Sequence, residues 1–184
     1  MRISGGYLKG RKFDSPDKGP GIRPTTERVK LAMFSVIGEQ LVKDKKVLDL
    51  FACTGALGFE AISRGAISAV FVEKNYKNCK LIKNNILKLD LIDKTEIKAH
   101  DCNKFLKFTN GGFDLVMMDP PFELKNWDKL MMDVTREGII NNKGVLITEH
   151  KSGVELKDTY GKAKRFSHKR YGDSEVSFYE VLND

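Results

Sequence analysis

Cysteine, histidine and proline are all scarce in this chain of 184 residues, and each scarcity argues against a class of protein. The three cysteines, Cys53, Cys79 and Cys102, are odd in number and widely spaced, with no Cys-x-x-Cys pair. That argues against a disulfide framework and against a zinc site. The three histidines, His100, His150 and His168, are scattered, so no metal centre is expected. Of the five prolines, three fall in residues 14–24 and none lies between Thr25 and Met118, which fits long uninterrupted regular structure. No apolar run approaches the roughly 20 residues of a membrane span. The first residues, Met1-Arg2-Ile3-Ser4-Gly5-Gly6, lack the apolar stretch of a secretory signal, so the cytoplasm is the expected compartment. No repeat, low-complexity segment or dimerisation helix stands out, and a monomer is expected.

What is abundant is positive charge, and it is unevenly placed. The formal net charge is +7. Residues 1–30 hold eight Lys/Arg against three acids, and residues 151–171 hold seven against two. The stretch between them is nearly balanced, and the last thirteen residues carry −4. Two basic ends around a neutral body suit a phosphate-bearing partner, although charge alone does not separate RNA from DNA.

The periodicity implies an α/β domain. Residues 2–13 read as a β-hairpin around Gly5, Gly6 and Gly10, and residues 14–24 as loop. Thr25 or Thr26 is placed to cap the next helix. Its apolar positions Val29, Ala32, Met33, Val36 and Ile37 fall on one face. Strands are then predicted at 47–51, 69–73, 96–99, 113–119 and 144–149. Helices at 55–64, 75–89, 101–108 and 126–136 separate them. Closing strands are predicted at 162–169 and 175–181. This alternation implies a mostly parallel, seven-stranded sheet with right-handed crossovers. The domain reading is a hairpin and linker over 1–24, followed by the main α/β body over 25–184.

The first body strand runs into Asp49-Leu50-Phe51-Ala52-Cys53-Thr54-Gly55-Ala56-Leu57-Gly58. Small residues at such a strand-to-helix turn let the backbone approach a ligand closely. Glu73, with Lys74 beside it, ends the second strand, where an acid can accept from both hydroxyls of an adenosyl ribose. A dinucleotide fingerprint needs glycine at three places in G-x-G-x-x-G, and here the first is Cys53. Asp49 would be poorly placed beside phosphates but suits the ammonium of a methionine moiety. The expected cofactor is therefore S-adenosylmethionine rather than NAD. Asp101 is placed to accept from the adenine amine with the Cys102 backbone beside the ring, or else to cap a helix. Cys53 and Cys102 read as packing residues, because no histidine is positioned to activate either.

The fourth strand ends in Asp119-Pro120-Pro121-Phe122. Two prolines stop the ladder. They leave a carboxylate, a fixed turn and an aromatic ring at the carboxyl edge, where open α/β sheets bind ligands. An acceptor pair beside an aromatic face suits a planar base carrying an exocyclic amine. Asp119, Pro120 and Phe122 are the candidate catalytic residues, and Asp119 also borders the expected cofactor site.

Together with Ile22-Arg23-Pro24-Thr25-Thr26-Glu27-Arg28-Val29, Glu60-Ala61, Ser63-Arg64-Gly65-Ala66 and Arg170-Tyr171-Gly172, these motifs resemble the RsmD-type methyltransferases over nearly the whole chain. The resemblance implies a Rossmann-like class I methyltransferase fold with an N-terminal β-hairpin extension. It also implies S-adenosylmethionine-dependent methylation of a guanine N2 in bacterial 16S ribosomal RNA, as naked RNA, small subunit or assembly intermediate. Two departures are visible: Cys53 stands where the family usually has glycine, and Phe122 where tyrosine is common. On this reading Pro121, Arg2, Lys9, Arg11, Lys12, Arg23, Thr25, Arg28, Lys169 and Arg170 engage the RNA. The rivals are a DNA adenine-N6 methyltransferase, a catalytically silent RNA-binding assembly factor on the same scaffold and, more distantly, a nicotinamide oxidoreductase.

Overall fold

In a computed structural model, which describes residues 1–16 and 27–182, the alternation predicted from periodicity is an eight-stranded sheet between two helical layers. Five strands are parallel neighbours: β1 (Lys46–Leu50), β2 (Ser68–Val72), β3 (Thr95–Lys98), β4 (Phe113–Met118) and β5 (Ile140–Lys151). Three more complete the sheet antiparallel: β6 (Thr159–Tyr160), β7 (Ala163–Tyr171) and β8 (Ser174–Val181). The order is β3-β2-β1-β4-β5-β8-β7-β6. The strand count therefore exceeds the expected seven. The extra strand, β6, is two residues long, too short to carry a two-residue period in the sequence. β5 also starts earlier than expected, at Ile140, because a register shift against β4 absorbs the polar residues Asn141–Lys143.

The sheet buries both faces, as parallel strands require. On one face Val47, Leu115, Met117, Val145 and Ile147 meet α1 (Glu27–Ile37), α2 (Ala56–Ser63) and α3 (Tyr76–Leu89). On the other, Leu48, Leu50, Val116, Met118 and Leu146 meet α4 (Cys102–Phe108) and α5 (Trp127–Val134). Of the α1 positions chosen from periodicity, Val29, Met33 and Ile37 are buried and Ala32 and Val36 are half-buried. Thr25 and Thr26, its candidate caps, lie outside the described residues, as does Arg23. α5 is shorter than the span read from sequence and ends at Val134.

The N-terminal segment makes one antiparallel bridge, Arg2 to Lys12, rather than two continuous strands. Its apolar residues Ile3, Leu8 and Phe13 are buried in the same core as α1 and α2. The Ser63 Oγ at the end of α2 accepts from the Leu8 N–H at 2.9 Å and donates to the Gly5 carbonyl at 2.6 Å. Gly6 has φ +73 and lies so close that a Cβ would fall 1.7 Å from the Ser63 carbonyl oxygen. Glycine is required there by both conformation and space.

Candidate active site

The carboxyl ends of β1, β2, β4 and β5 enclose a cavity of about 470 Å³, a volume suited to a small-molecule ligand. Its walls include Asp49 from β1, Glu73 after β2, Asp119 after β4 and Glu149 from β5. The two-residue period of the strands places all four on one face. Phe71, Met117 and Ile147, two residues before Glu73, Asp119 and Glu149, belong to the α1–α2 side of the core. Asp49 pairs with Phe71 on one side and Met117 on the other. Along the sheet the order is Glu73, Asp49, Asp119, Glu149. Adjacent strands are ~4.8 Å apart, so this is a row of acids facing one hollow.

The row raises its own electrostatic problem. Asp49 is sealed at 1% exposure. Burial pushes its carboxyl well above the usual range, the Gly58 N–H it accepts pulls the other way, and the charges of Asp119 and Glu73 raise it further. A cationic guest relieves that repulsion, and a pyrophosphate aggravates it. The donor set therefore fits the sulfonium and ammonium of S-adenosylmethionine and disfavours a dinucleotide.

The loop after β1 is held by the same acids. Asp49 Oδ2 accepts from the Gly58 N–H at 2.9 Å. Gly58 is in the first turn of α2, whose N-cap, Gly55, has no side chain to offer. Asp49 thus supplies the missing cap from the neighbouring strand. Glu73 uses both oxygens: Oε2 accepts from the Cys53 N–H at 2.9 Å and Oε1 from the Asn75 N–H at 2.7 Å. Each oxygen keeps a second lone pair for a hydroxyl donor. Phe51 and Cys53 both sit at positive φ, +58 and +49, strained conformations for residues with side chains.

The glycines act differently from the sequence reading. Neither Gly55 nor Gly58 is among the residues lining the cavity, whereas Phe51, Ala52, Cys53 and Thr54 are. A Cβ on Gly58 would fall 2.3 Å from the Phe71 ring, so this glycine lets α2 pack on β2 rather than a ligand on the backbone. Gly55 turns the chain with φ +78.

Of the remaining expected cofactor residues, Lys74, Asp101 and Cys102 line the cavity. Asp101 is a helix cap: its Oδ1 accepts from the Asn103 and Lys104 N–H groups at 3.0 and 3.3 Å. Burial, then the charges of Glu73, Asp119 and Asp49, pushes the Cys53 thiol up to about 11. Burial pushes Cys102 up to about 12, partly offset by a backbone hydrogen bond from Phe51. Neither is a thiolate at neutral pH, which agrees with the packing role read from sequence.

Asp119, Pro120, Pro121 and Phe122 line the same cavity, on the other side of β1 from Glu73. Sequence reasoning missed Ala56, Leu57, Asn75, Asn78, Glu123 and Glu149 among the lining residues, and Glu149 is the one of them that stands in the row of acids. Its signal was present: like Glu73 and Asp119, it is an acid at the carboxyl end of a predicted parallel strand.

The basic residues divide. On β7, Lys169 pairs with Val176, which pairs with Glu149. Lys169 is therefore exposed two strands from the cavity wall, ~10 Å away and on its face of the sheet. Its neighbour Arg170 is exposed too, with Nε donating to the Gly172 carbonyl at 3.2 Å. Arg11 is remote. Its guanidinium donates to the Lys88 carbonyl at 2.9 Å, near the far end of α3, while the first end of that helix, at Asn75, borders the cavity. Thirteen residues of helix separate Lys88 from Asn75, and at 1.5 Å per residue that is ~20 Å. Lys9 and Lys12, near Arg11 on the N-terminal segment, are exposed, Arg2 pairs with Glu27 at 3.3 Å, and Arg28 is exposed on α1.

The comparisons with known proteins agree with this architecture. The family model described as Conserved hypothetical protein 95 matches residues 1–180. A Bacillus subtilis protein named "Putative rRNA methyltransferase YlbH" is 31% identical over 183 residues, covering 98% of both chains. The Escherichia coli "Ribosomal RNA small subunit methyltransferase D" is 36% identical over 122 residues, 66% of this chain and 60% of that one. The solved structure titled "Putative methyltransferase yhhF from Escherichia coli" superposes with a TM-score of 0.88 at 26% identity, covering 100% of this chain and 99% of that one. Matched from its first strands to its last and carrying the acid-proline-proline-aromatic corner on the expected sheet edge, the chain belongs to the Conserved hypothetical protein 95 family, that of the RsmD-type methyltransferases.

Proposed function

We infer that the protein transfers a methyl group from S-adenosylmethionine to the exocyclic N2 amine of a guanine in small-subunit ribosomal RNA. The observation that carries this reading is the shared cavity. Asp49 to Thr54 with Glu73 line one part of it, suited to a cationic adenosyl cofactor, and Asp119 to Phe122 line another, suited to a flat base. The small-subunit RNA is supported by the name of the Escherichia coli relative.

S-adenosylmethionine, when bound, supplies an electrophilic methyl group on a sulfonium sulfur. The protein's task is alignment. Asp119 and the Pro120 carbonyl accept the two N–H bonds of N2 and turn its lone pair out of the ring plane toward that methyl. Phe122 stacks on the base, a contact that sequence-tolerant aromatic platforms make with ~1–3 kcal/mol per base. Methyl transfer to N2, with the sulfonium leaving as a thioether, would make N2 strongly acidic, and Asp119, already accepting one of its N–H bonds, would take that proton. Holding the two reactants in line supplies several kcal/mol without any nucleophile from the protein. The base is met unpaired or flipped from its stack.

The test is methylation of small-subunit ribosomal RNA with labelled cofactor, with DNA as the competing substrate and nucleoside mass spectrometry to locate the methyl. N2-methylguanosine is expected. Asp119→Ala is expected to lower the rate by roughly 10²–10⁴-fold while calorimetric cofactor binding survives. Label in N6-methyladenine of DNA, or full activity in Asp119→Ala, overturns the assignment.

A further inference from the structure

We propose that Glu149 reads the target base: its carboxylate accepts the N1–H of the guanine whose N2 is methylated, and this contact selects guanine over purines that lack that hydrogen. The inference rests on the guanine-N2 reading above and adds the residue that enforces it.

Glu149 is 5% exposed and lines the same cavity as Asp119, Pro120 and Phe122. Its position follows from register. Met117 pairs with Ile147 and Met118 with Thr148, so the next level of the sheet brings Asp119 beside Glu149. Both continue the face that carries Met117 and Ile147.

The order across the sheet says which ligand it serves. Glu73 and Asp49, on β2 and β1, hold the loop that borders the cofactor half. Asp119 stands at the middle. Glu149 is on the far side of Asp119, beyond the amine and along the base. Guanine presents two neighbouring donors on one edge, N1–H and the N2 amine. Two neighbouring acceptors are their complement, and Asp119 and Glu149 are such a pair. Adenine and 2,6-diaminopurine instead turn an N1 lone pair toward the same place. A carboxylate cannot donate to it, and both groups are left unpaired in a closed site. Buried groups left unpaired are what makes polar discrimination steep. The acid-proline-proline-aromatic corner alone grips an amine on any base, so the choice of base has to come from another wall.

The experiment places guanine or 2,6-diaminopurine at the mapped target position of otherwise identical small-subunit RNA. The second base keeps the 2-amine and loses N1–H. Wild-type protein is expected to favour guanine by about a hundredfold or more in kcat/KM. Glu149→Gln is expected to bring the two substrates within about tenfold of each other, because the amide can donate to N1. Cofactor affinity, measured by calorimetry, should be unchanged. A wild-type enzyme indifferent to the two bases overturns the inference, and so does a Glu149→Gln protein that slows both equally. Neither result touches the guanine-N2 reading, which fails separately if the wild type makes no N2-methylguanosine. If Glu149→Gln does not fold, the wild-type ratio and Glu149→Asp, which should keep the order of preference, decide the question.

Discussion

Lys30 of α1 and Glu60 of α2 form an ion pair at 2.8 Å with side chains 1% and 0% exposed. Glu60 also accepts from the Ser4 N–H at 2.9 Å and pairs with Arg64 at 2.9 Å, while Lys30 donates to the Arg2 carbonyl at 3.0 Å. Two helices and the N-terminal segment therefore meet on one buried charge pair. The two partners are not equivalent: without Lys30, Glu60 still holds Arg64, whereas without Glu60 the buried Lys30 ammonium loses its carboxylate. Glu60→Leu should cost ~3–5 kcal/mol in urea unfolding, far more than an exposed pair would. The loss should be largest around residues 1–16, read as faster amide exchange there than in β1 or β4.

Asp49 carries the clearest pH signature. Because burial first, and then the nearby acids, hold its folded-state carboxyl above the usual range, the folded chain binds this proton more tightly than the unfolded one. Its contribution to stability is full below the ordinary carboxylate range and is lost as pH rises through the raised value. Asp49→Asn keeps an acceptor for the Gly58 N–H and removes the charge. The variant should gain stability relative to wild type as pH rises through that window and match it below. Cofactor binding should move the opposite way. Wild-type affinity for S-adenosylmethionine should rise as Asp49 ionises, with proton release seen by calorimetry in buffers of different ionisation enthalpy. Asp49→Asn should bind about tenfold more weakly, ~1.4 kcal/mol, and release no proton.

Cys53 offers a test of strain. Its φ of +49 is a glycine conformation, and its N–H is committed to Glu73. A left-handed residue with a side chain costs roughly 1–2 kcal/mol. Glycine returns about 0.5–1 kcal/mol of that through the greater freedom of the unfolded chain. Cys53→Gly should therefore stabilise the protein by about 0.5–1 kcal/mol in denaturant titration, with cofactor binding retained. A loss of stability would mean that packing of the thiol outweighs the backbone relief.

The sequence was most readable where one local rule sufficed. Buried parallel strands announce themselves as apolar runs, and Asp119-Pro120-Pro121-Phe122 sits where its strand had to stop. The helix cap at Asp101 was legible for the same reason. Non-local facts were hidden. That Gly58 makes room for Phe71 depends on a helix docking on a strand, and that Asp49 caps α2 depends on a partner nine residues away. Nothing local distinguishes Lys30 from the exposed lysines of the chain. Glu149 was passed over because its place beside Asp119 depends on the register of β5 against β4. The N-terminal hairpin was read from alternation alone, whereas burial of Ile3, Leu8 and Phe13 ties that segment to the core.

That geometry also divides the basic residues by distance. Lys169 is two strands from Glu149, while Arg11 is a helix length from the cavity, so contacts at both would engage a backbone stretch well beyond the target base. Lys169→Ala and Lys12→Ala should each lower the slope of log affinity against log salt by about 0.7–0.9, the value of one phosphate contact. They should differ in catalysis. Under the proposed function Lys169 would hold RNA close to the target base, so its loss should reduce kcat on saturating RNA as well as affinity. Lys12 would anchor RNA remotely, so its loss should raise KM and leave kcat intact. Both effects are read from filter-binding isotherms at several salt concentrations and from single-turnover rates. A salt slope unchanged in both variants would remove these residues from the RNA path and leave the base pocket to be fed by another surface.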